Sequence, residues 1–283
     1  MQDNEFYIQT GSGIQVYGKS WVPDKNPGAV VAVLHGFGDH IGRYEDFAAY
    51  FTGHRIAVIG IDLPGHGRSS GKRGHIREFP VLLNHVQQLM LETRRRFIDM
   101  PIILYGHSMG GNIAFNYALR NPSKEIKGVI VSSPWIRPFG SSDKWKLFKN
   151  RMMGKLYPSF SLSFELDPME LSQDPSIGKF YLEDPVKHDK ISIRLYRDLL
   201  TSSEWIIKNA QRMGYPVLIM HGNEDRITTW EASSDLADEL HDKVELKIWE
   251  GMRHELHHEN AKESVLNYQL SWIQKILAGP YPD

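Results

Sequence analysis

Ile102-Ile103-Leu104-Tyr105-Gly106-His107-Ser108-Met109-Gly110-Gly111 is the stretch on which the fold turns. A short β-branched and aromatic run leads into Gly-x-Ser-x-Gly, and an apolar-periodic stretch follows. The segment therefore reads as strand, sharp turn and helix. Such a turn holds its serine in a strained backbone conformation with Oγ exposed at the end of a sheet, where an attacking oxygen is needed. The glycines on either side let strand and helix approach closely.

Outward from this stretch the chain alternates. Residues 6–9 and 14–17, joined by Gly11-Ser12-Gly13, form an expected antiparallel hairpin. Nearly continuous apolar runs recur at 30–34, 56–61, 102–105, 129–131 and 217–220, with a more alternating one at 244–249. Val- and Ile-rich runs without alternation are the pattern of parallel strands covered on both faces. Helical patterns separate them at 44–51, 79–98, 112–119, 230–240 and 261–277. This predicts an α/β protein: one doubly wound, mostly parallel sheet of about eight strands, with its ligand site at the strands' carboxyl ends.

One region breaks the rhythm. Between Pro134 and Tyr215 no clear strand is legible, and Trp, Phe, Met, Pro and basic residues crowd together. Residues 137–203 are read as an inserted helical cap, or lid, with 1–136 and 204–283 forming the core. Trp145, Phe148, Met152 and Leu156 fall at near-helical spacing, among Lys144, Lys146, Lys149, Arg151 and Lys155. Two readings of that stripe stay open: packing of the cap onto the core, or a face that lines an acyl-chain tunnel or touches a lipid surface.

Composition bounds the function. The chain has 283 residues, 41% of them hydrophobic, a formal net charge of −1 and no cysteine. A large core is easily buried at this length, disulfides and thiolate–metal sites are excluded, and the charge offers no case for nucleic acid. The start, Met1-Gln2-Asp3-Asn4-Glu5, lacks a basic and apolar leader pattern. No run approaches the length of a membrane span. The expected location is the cytoplasm, with peripheral membrane contact through the cap. No histidine spacing suggests a metal, and no cofactor is expected.

A serine nucleophile needs a base and an orienting acid. In this topology they follow in the order serine, acid, histidine, each on a loop after a strand. His221-Gly222-Asn223-Glu224-Asp225 follows the run at 217–220, and Glu250-Gly251-Met252-Arg253-His254 follows that at 244–249. Asp225 is the expected acid and His254 the expected base, with Ser108 the nucleophile. Glu224 is expected to point away, and His257 and His258 to be solvated. Asp62 and His66 are assigned to bracing a loop, and His107 to packing beside the serine. Leu34-His35-Gly36-Phe37-Gly38 occupies the place of an oxyanion loop, so the backbone N–H groups of Phe37 and Met109 are the expected donors.

Four motifs now stand in order: His35-Gly-Phe-Gly-Asp39-His40-Ile-Gly-Arg43-Tyr44, Asp62-Leu-Pro-Gly-His66-Gly-Arg-Ser69, Gly106-His-Ser-Met-Gly-Gly111 and Asp184-Pro-Val-Lys-His188. Together they resemble the monoacylglycerol lipase and lysophospholipase branch of the α/β-hydrolases. The resemblance implies that Ser108, Asp225 and His254 hydrolyse a monoacylglycerol or a similar single-chain lipid ester through an acyl-enzyme. It also implies that Asp39 and Arg43 build the polar end of the pocket, although a structural ion pair or a helix start is the competing reading. Phe37 stands where the family often has a small residue, which bears on the width of the acyl site. Lysophospholipase and general carboxylesterase activity are the nearest alternatives. Aminopeptidases, carbon–carbon bond hydrolases and silent hydrolase-fold binding proteins are further ones.

Overall fold

The computed structural model describes residues 1–10, 13–139, 157–164 and 166–279. Its centre is an eight-stranded sheet with spatial order β1-β2-β4-β3-β5-β6-β9-β10. The strands are β1 (Gln2–Gln9), β2 (Gln15–Val22), β3 (Ala29–Leu34), β4 (Ile56–Ile61), β5 (Ile102–His107), β6 (Ile126–Ser132), β9 (Val217–Gly222) and β10 (Val244–Trp249). β2 runs antiparallel to both β1 and β4, and all remaining pairs are parallel. This is the mostly parallel α/β-hydrolase sheet expected from the sequence.

The unbroken apolar runs need cover on both faces, and they get it. Along β3, Val30, Ala32 and Leu34 join one core, while Ala29, Val31 and Val33 join the other. The first core takes side chains from α2 (Phe79–Arg96), α3 (Met109–Arg120), α5 (Ile193–Asn209) and α6 (Trp230–Leu240). The second takes them from α1 (Glu45–Gly53) and α7 (Lys262–Ala278). Each fully buried Phe here, such as Phe51, contributes about 1.5–3 kcal/mol. β2 extends past the expected Tyr17, because the ammonium of Lys19 is met by Asp3 at 3.0 Å and by Glu45, and Trp21 donates its indole N–H to Glu45 at 2.7 Å.

The region without legible strands carries a short ribbon, β7 (Ser161–Ser163) paired antiparallel with β8 (Lys190–Ser192). Between them lies α4 (Pro175–Glu183), entered through Asp174, whose carboxylate accepts the Ser176 N–H at 2.9 Å. The boundary expected at 203/204 falls inside the continuous helix α5. α5 packs on α3, where the Asn112 side-chain N–H donates to Ser203 Oγ at 2.9 Å. Trp145, Phe148 and Met152 lie outside the described residues. Among the described residues no helix is long and apolar enough to cross a membrane.

Candidate active site

β5 ends at His107 and α3 begins at Met109, so Ser108 alone makes the turn, with φ 53° and ψ −118°. That conformation is costly for a residue with a side chain and persists only when its surroundings over-determine it. Here they do. A Cβ on Gly106 would sit 2.3 Å from the Gly110 carbonyl oxygen, and one on Gly110 would sit 2.1 Å from that of Leu34. The Ser108 N–H donates to Ser132 O at 2.9 Å, and Ser108 O accepts the N–H groups of Asn112 at 3.1 Å and Trp135 at 2.9 Å. As the first helical residue, Met109 has a backbone N–H that no carbonyl of its own helix reaches. The same close packing brings in the loop after β3, where a Cβ on Gly36 would lie 3.4 Å from that of Ser108.

Asp225 follows β9 and His254 follows β10, and the two are hydrogen-bonded, His254 Nδ1 to Asp225 Oδ2 at 2.6 Å. His254 therefore donates from Nδ1 and leaves Nε2 as an acceptor. The same carboxylate oxygen accepts from His221 Nε2 at 2.9 Å and from the Thr228 hydroxyl at 2.9 Å. Its other oxygen accepts the N–H groups of Ile227 at 2.7 Å and Thr228 at 3.0 Å. Burial opposes the charge on Asp225, but the field of His254 and the hydrogen bonds from His221 and His254 outweigh it, holding this carboxyl far below the usual range. Glu224, next door, is exposed.

Ser108 and His254 share the wall of one narrow cavity with about 30 Å³ of free space, roughly the share of a single water molecule in the liquid. Phe37, Trp135, Phe164, Leu166, Leu171 and Ile227 make its apolar side. Phe37 meets Phe164, His66 and His188 edge-on, with ring centroids 5.6–5.8 Å apart. The polar side is Asp39, Glu255, His107 and Tyr181.

Asp39 and Arg43 belong to a buried network the sequence showed only in part. The Arg43 guanidinium grips Glu255 with two hydrogen bonds of 2.7 Å and reaches Asp39 Oδ1 at 3.1 Å. His258 bonds Glu255 at 2.7 Å and the Arg43 carbonyl at 3.1 Å. Burial opposes ionisation of Glu255, yet Arg43 and His258 hold it well below the ordinary glutamate value. Asp39 Oδ2 is buried and has no hydrogen-bond partner among the described residues. Asp39 and Glu255 line the cavity, and Arg43, which holds both, is not among its lining residues.

Two expectations are corrected here. His257 is buried, stacked on Tyr44 with centroids 5.0 Å apart, and His258 is mostly buried in the network just described; neither is solvated. The interior has a flat aromatic partner for His257 in Tyr44, far away in sequence, and a carboxylate for His258 in Glu255, three residues before it. His107 packs between His254 and His257 at 4.8 and 5.0 Å, and burial, aided by His254, pushes it down to about 3. Asp62 accepts the N–H groups of Ile41 at 2.7 Å and Arg68 at 2.6 Å, bracing the loop before α1.

Ser133, Glu255 and Glu259 carried no motif. Ser133, at φ 45°, donates its hydroxyl to the His254 carbonyl at 2.8 Å and so fixes that loop. Glu259 accepts the N–H groups of Arg253 at 2.7 Å and Gln173 at 3.0 Å. Among the described residues no group of three or more His, Cys, Asp or Glu side chains is arranged to hold a metal ion.

Residues 25–261 match the family model described as serine aminopeptidase, S33. A monoacylglycerol lipase of Mycolicibacterium smegmatis is 32% identical over 92% of this chain and 93% of its own. An uncharacterised abhydrolase domain-containing protein of Dictyostelium discoideum is 37% identical over 91% of this chain, which spans 27% of that protein's length. The crystal structure of Paleococcus ferrophilus monoacylglycerol lipase superposes with a TM-score of 0.83 at 31% identity, covering 92% of this chain and 99% of that one.

Proposed function

The chain belongs to the serine aminopeptidase S33 family, in the monoacylglycerol lipase branch of the α/β-hydrolases, and from that starting point we propose that it cleaves monoacylglycerols through an acyl-enzyme on Ser108. The observation that carries this reading is the 2.6 Å bond from His254 to Asp225 beside a serine on a strained turn in the same cavity. His254 Nε2 takes the Ser108 proton as Oγ attacks the ester carbonyl, and then gives it to the leaving alcohol. Asp225 holds the imidazole in the tautomer with Nδ1 protonated and stabilises the imidazolium. The amides of Phe37 and Met109 receive the charge that develops on the carbonyl oxygen. A water activated by His254 then releases the fatty acid.

Head-group preference follows from the polar wall. Asp39 Oδ2, buried and without a partner among the described residues, is an acceptor waiting for a hydroxyl of the leaving glycerol, since an unmade buried hydrogen bond costs about 1–3 kcal/mol. With Glu255 beside it, this end of the cavity is acidic and opposes an anionic phosphate head group, which favours monoacylglycerols over lysophospholipids. Arg43 orients both carboxylates. In this reading the segment after Pro158 is a cap over the cavity. It exposes Phe160, Leu162, Phe180 and Leu182, apolar surface suited to meeting a lipid aggregate. The free oxygen of Asp39 would equally pair with a substrate amine, which is the second reading.

The test is a hydrolysis panel of a monoacylglycerol, a lysophospholipid, a triacylglycerol and an aminoacyl amide, run with the wild type and with Ser108→Ala. The monoacylglycerol should give the highest kcat/KM, and Ser108→Ala should abolish it. Preference for the aminoacyl amide would replace this reading with the aminopeptidase one.

A further inference from the structure

Asp184-Pro-Val-Lys-His188 was recognisable only as a family marker, with no role in the chemistry, yet it lies directly against the loop after β3. Asp184 Oδ2 is 2.7 Å from His40 Nε2, and both side chains are largely buried. His40 Nδ1 accepts the Gly42 N–H at 3.2 Å. Nε2 is therefore the protonated nitrogen, and it donates to Asp184. The other Asp184 oxygen accepts the Val186 N–H at 2.8 Å, closing a turn. That turn delivers the His188 N–H to the Gly38 carbonyl at 3.1 Å and sets the His188 ring edge-on to Phe37 at 5.6 Å. The fit leaves no slack, because Gly38 has φ 71° and a Cβ there would lie 2.2 Å from His188 O.

The far side of the loop is anchored by the core, through Asp62 to the Ile41 N–H at 2.7 Å and His35 Nε2 to the Leu63 N–H at 2.9 Å. Phe37 stands between the two anchorages. The Phe37 N–H shares its peptide plane with the Gly36 carbonyl, which His35 Nδ1 holds at 2.7 Å from the core side, while the chain leaving Phe37 is held from outside the core, at the Gly38 carbonyl, by His188.

We propose that Asp184, acting through His40, is a positioning residue that aims the Phe37 N–H at the developing oxyanion. The inference rests on the reading of Phe37 as an oxyanion donor. A donor of this kind works only when aimed where the charge develops, and its full loss costs about 10²–10³ in rate. Loosening one anchorage should cost less, roughly tenfold, and the loss should fall on kcat because the ground-state ester depends little on this contact.

Asp184→Asn is the specific probe. It keeps the size of the side chain and the acceptor for Val186, but presents an NH2 group to an imidazole N–H. His40→Gln, which leaves the Asp184 turn intact, is the second probe, and the double variant closes a cycle. Each is assayed for kcat and KM on a short-chain ester, for affinity toward a trifluoromethyl ketone that adds to Ser108 as a tetrahedral mimic, and for its urea midpoint. The expected result is a tenfold fall in kcat with KM within twofold. Ketone affinity should fall by the same factor, the midpoint should stay unchanged, and the double variant should be no worse than either single one. Unchanged kcat, or a fall in kcat with ketone affinity intact, overturns the positioning role. Failure of the wild type to bind the ketone overturns the Ser108 reading itself, a different result from either.

Discussion

Replacing Gly110 by alanine puts a methyl group where two carbonyl oxygens already stand. The new Cβ would lie 2.1 Å from Leu34 O and 2.5 Å from His35 O, against an ordinary contact of 3.4 Å or more. Both oxygens are backbone, so no flexible side-chain end can swing aside. The end of β3 must back away by about 1 Å, and misplacement on that scale costs on the order of 100-fold in rate. The displaced peptides immediately precede Gly36 and Phe37, so the movement goes directly into the loop beside Ser108. Overpacking should also cost about 1–3 kcal/mol of stability, a fall in Tm of roughly 2–4 °C per kcal/mol for a chain of this size. Gly53→Ala is the control. Nothing lies within 4 Å of a Cβ there, so it should leave activity alone and add about 0.4–1 kcal/mol. The assay is kcat/KM on a short-chain ester for folded protein, with urea midpoints for both variants. If Gly110→Ala keeps more than half of the wild-type kcat/KM, the elbow and the loop are not in the tight contact described, and the reasoning fails.

Ser108→Ala should lower kcat by about six orders of magnitude, and Asp225→Asn by about four, because the first removes the nucleophile and the second leaves His254 in the wrong tautomer; steady-state rates on a purified ester decide both. Asp39→Asn should raise the ratio of lysophospholipid to monoacylglycerol turnover, since it removes negative charge from the head-group end, and an unchanged ratio would count against that placement. Stability should fall on acidification below the ordinary histidine range. His188 and His107 are pushed down by burial to about 4 and about 3, so below pH ~6.5 the unfolded chain binds protons that the folded one refuses. The sign is loss of stability as pH falls, at up to about 1.4 kcal/mol per pH unit for each group. Urea midpoints from pH 7 to 5 should show this, and His107→Gln should flatten the slope.

What could be read from the sequence was what local pattern encodes. Apolar runs and the Gly-Ser-Gly spacing gave the sheet, the turn at Ser108 and the loops holding Asp225 and His254, because strand burial and tight turns are dictated by neighbouring residues. The polar interior was less legible. Arg43 and Glu255 meet across 212 positions, Tyr44 reaches His257 from the other end of the chain, and Glu255, three residues before His258, is drawn inside only because Arg43 is there to meet it. Both histidines were accordingly expected in solvent. β7 and β8 are three residues each, too short for an alternating pattern. The cap boundary expected at 203 cuts α5, because the absence of strands between Pro134 and Tyr215 says nothing of where a helix begins or ends, and this one runs on to Asn209.

The order of the strands also sets when the molecule becomes competent. Ser108 sits at the end of the central strand β5, whereas His254 follows β10, which among the described residues is an edge strand paired with β9 alone. Synthesis reaches β10 after every other strand of the sheet, so a growing chain can bury most of its core while carrying a serine with no base. With Ser108 and His254 in their proposed roles, such a half-made chain is inert. The same arrangement works in reverse under mild denaturant. Edge elements open at lower free energy than the centre of a sheet, so turnover should vanish while the tryptophans of the core still report a folded protein.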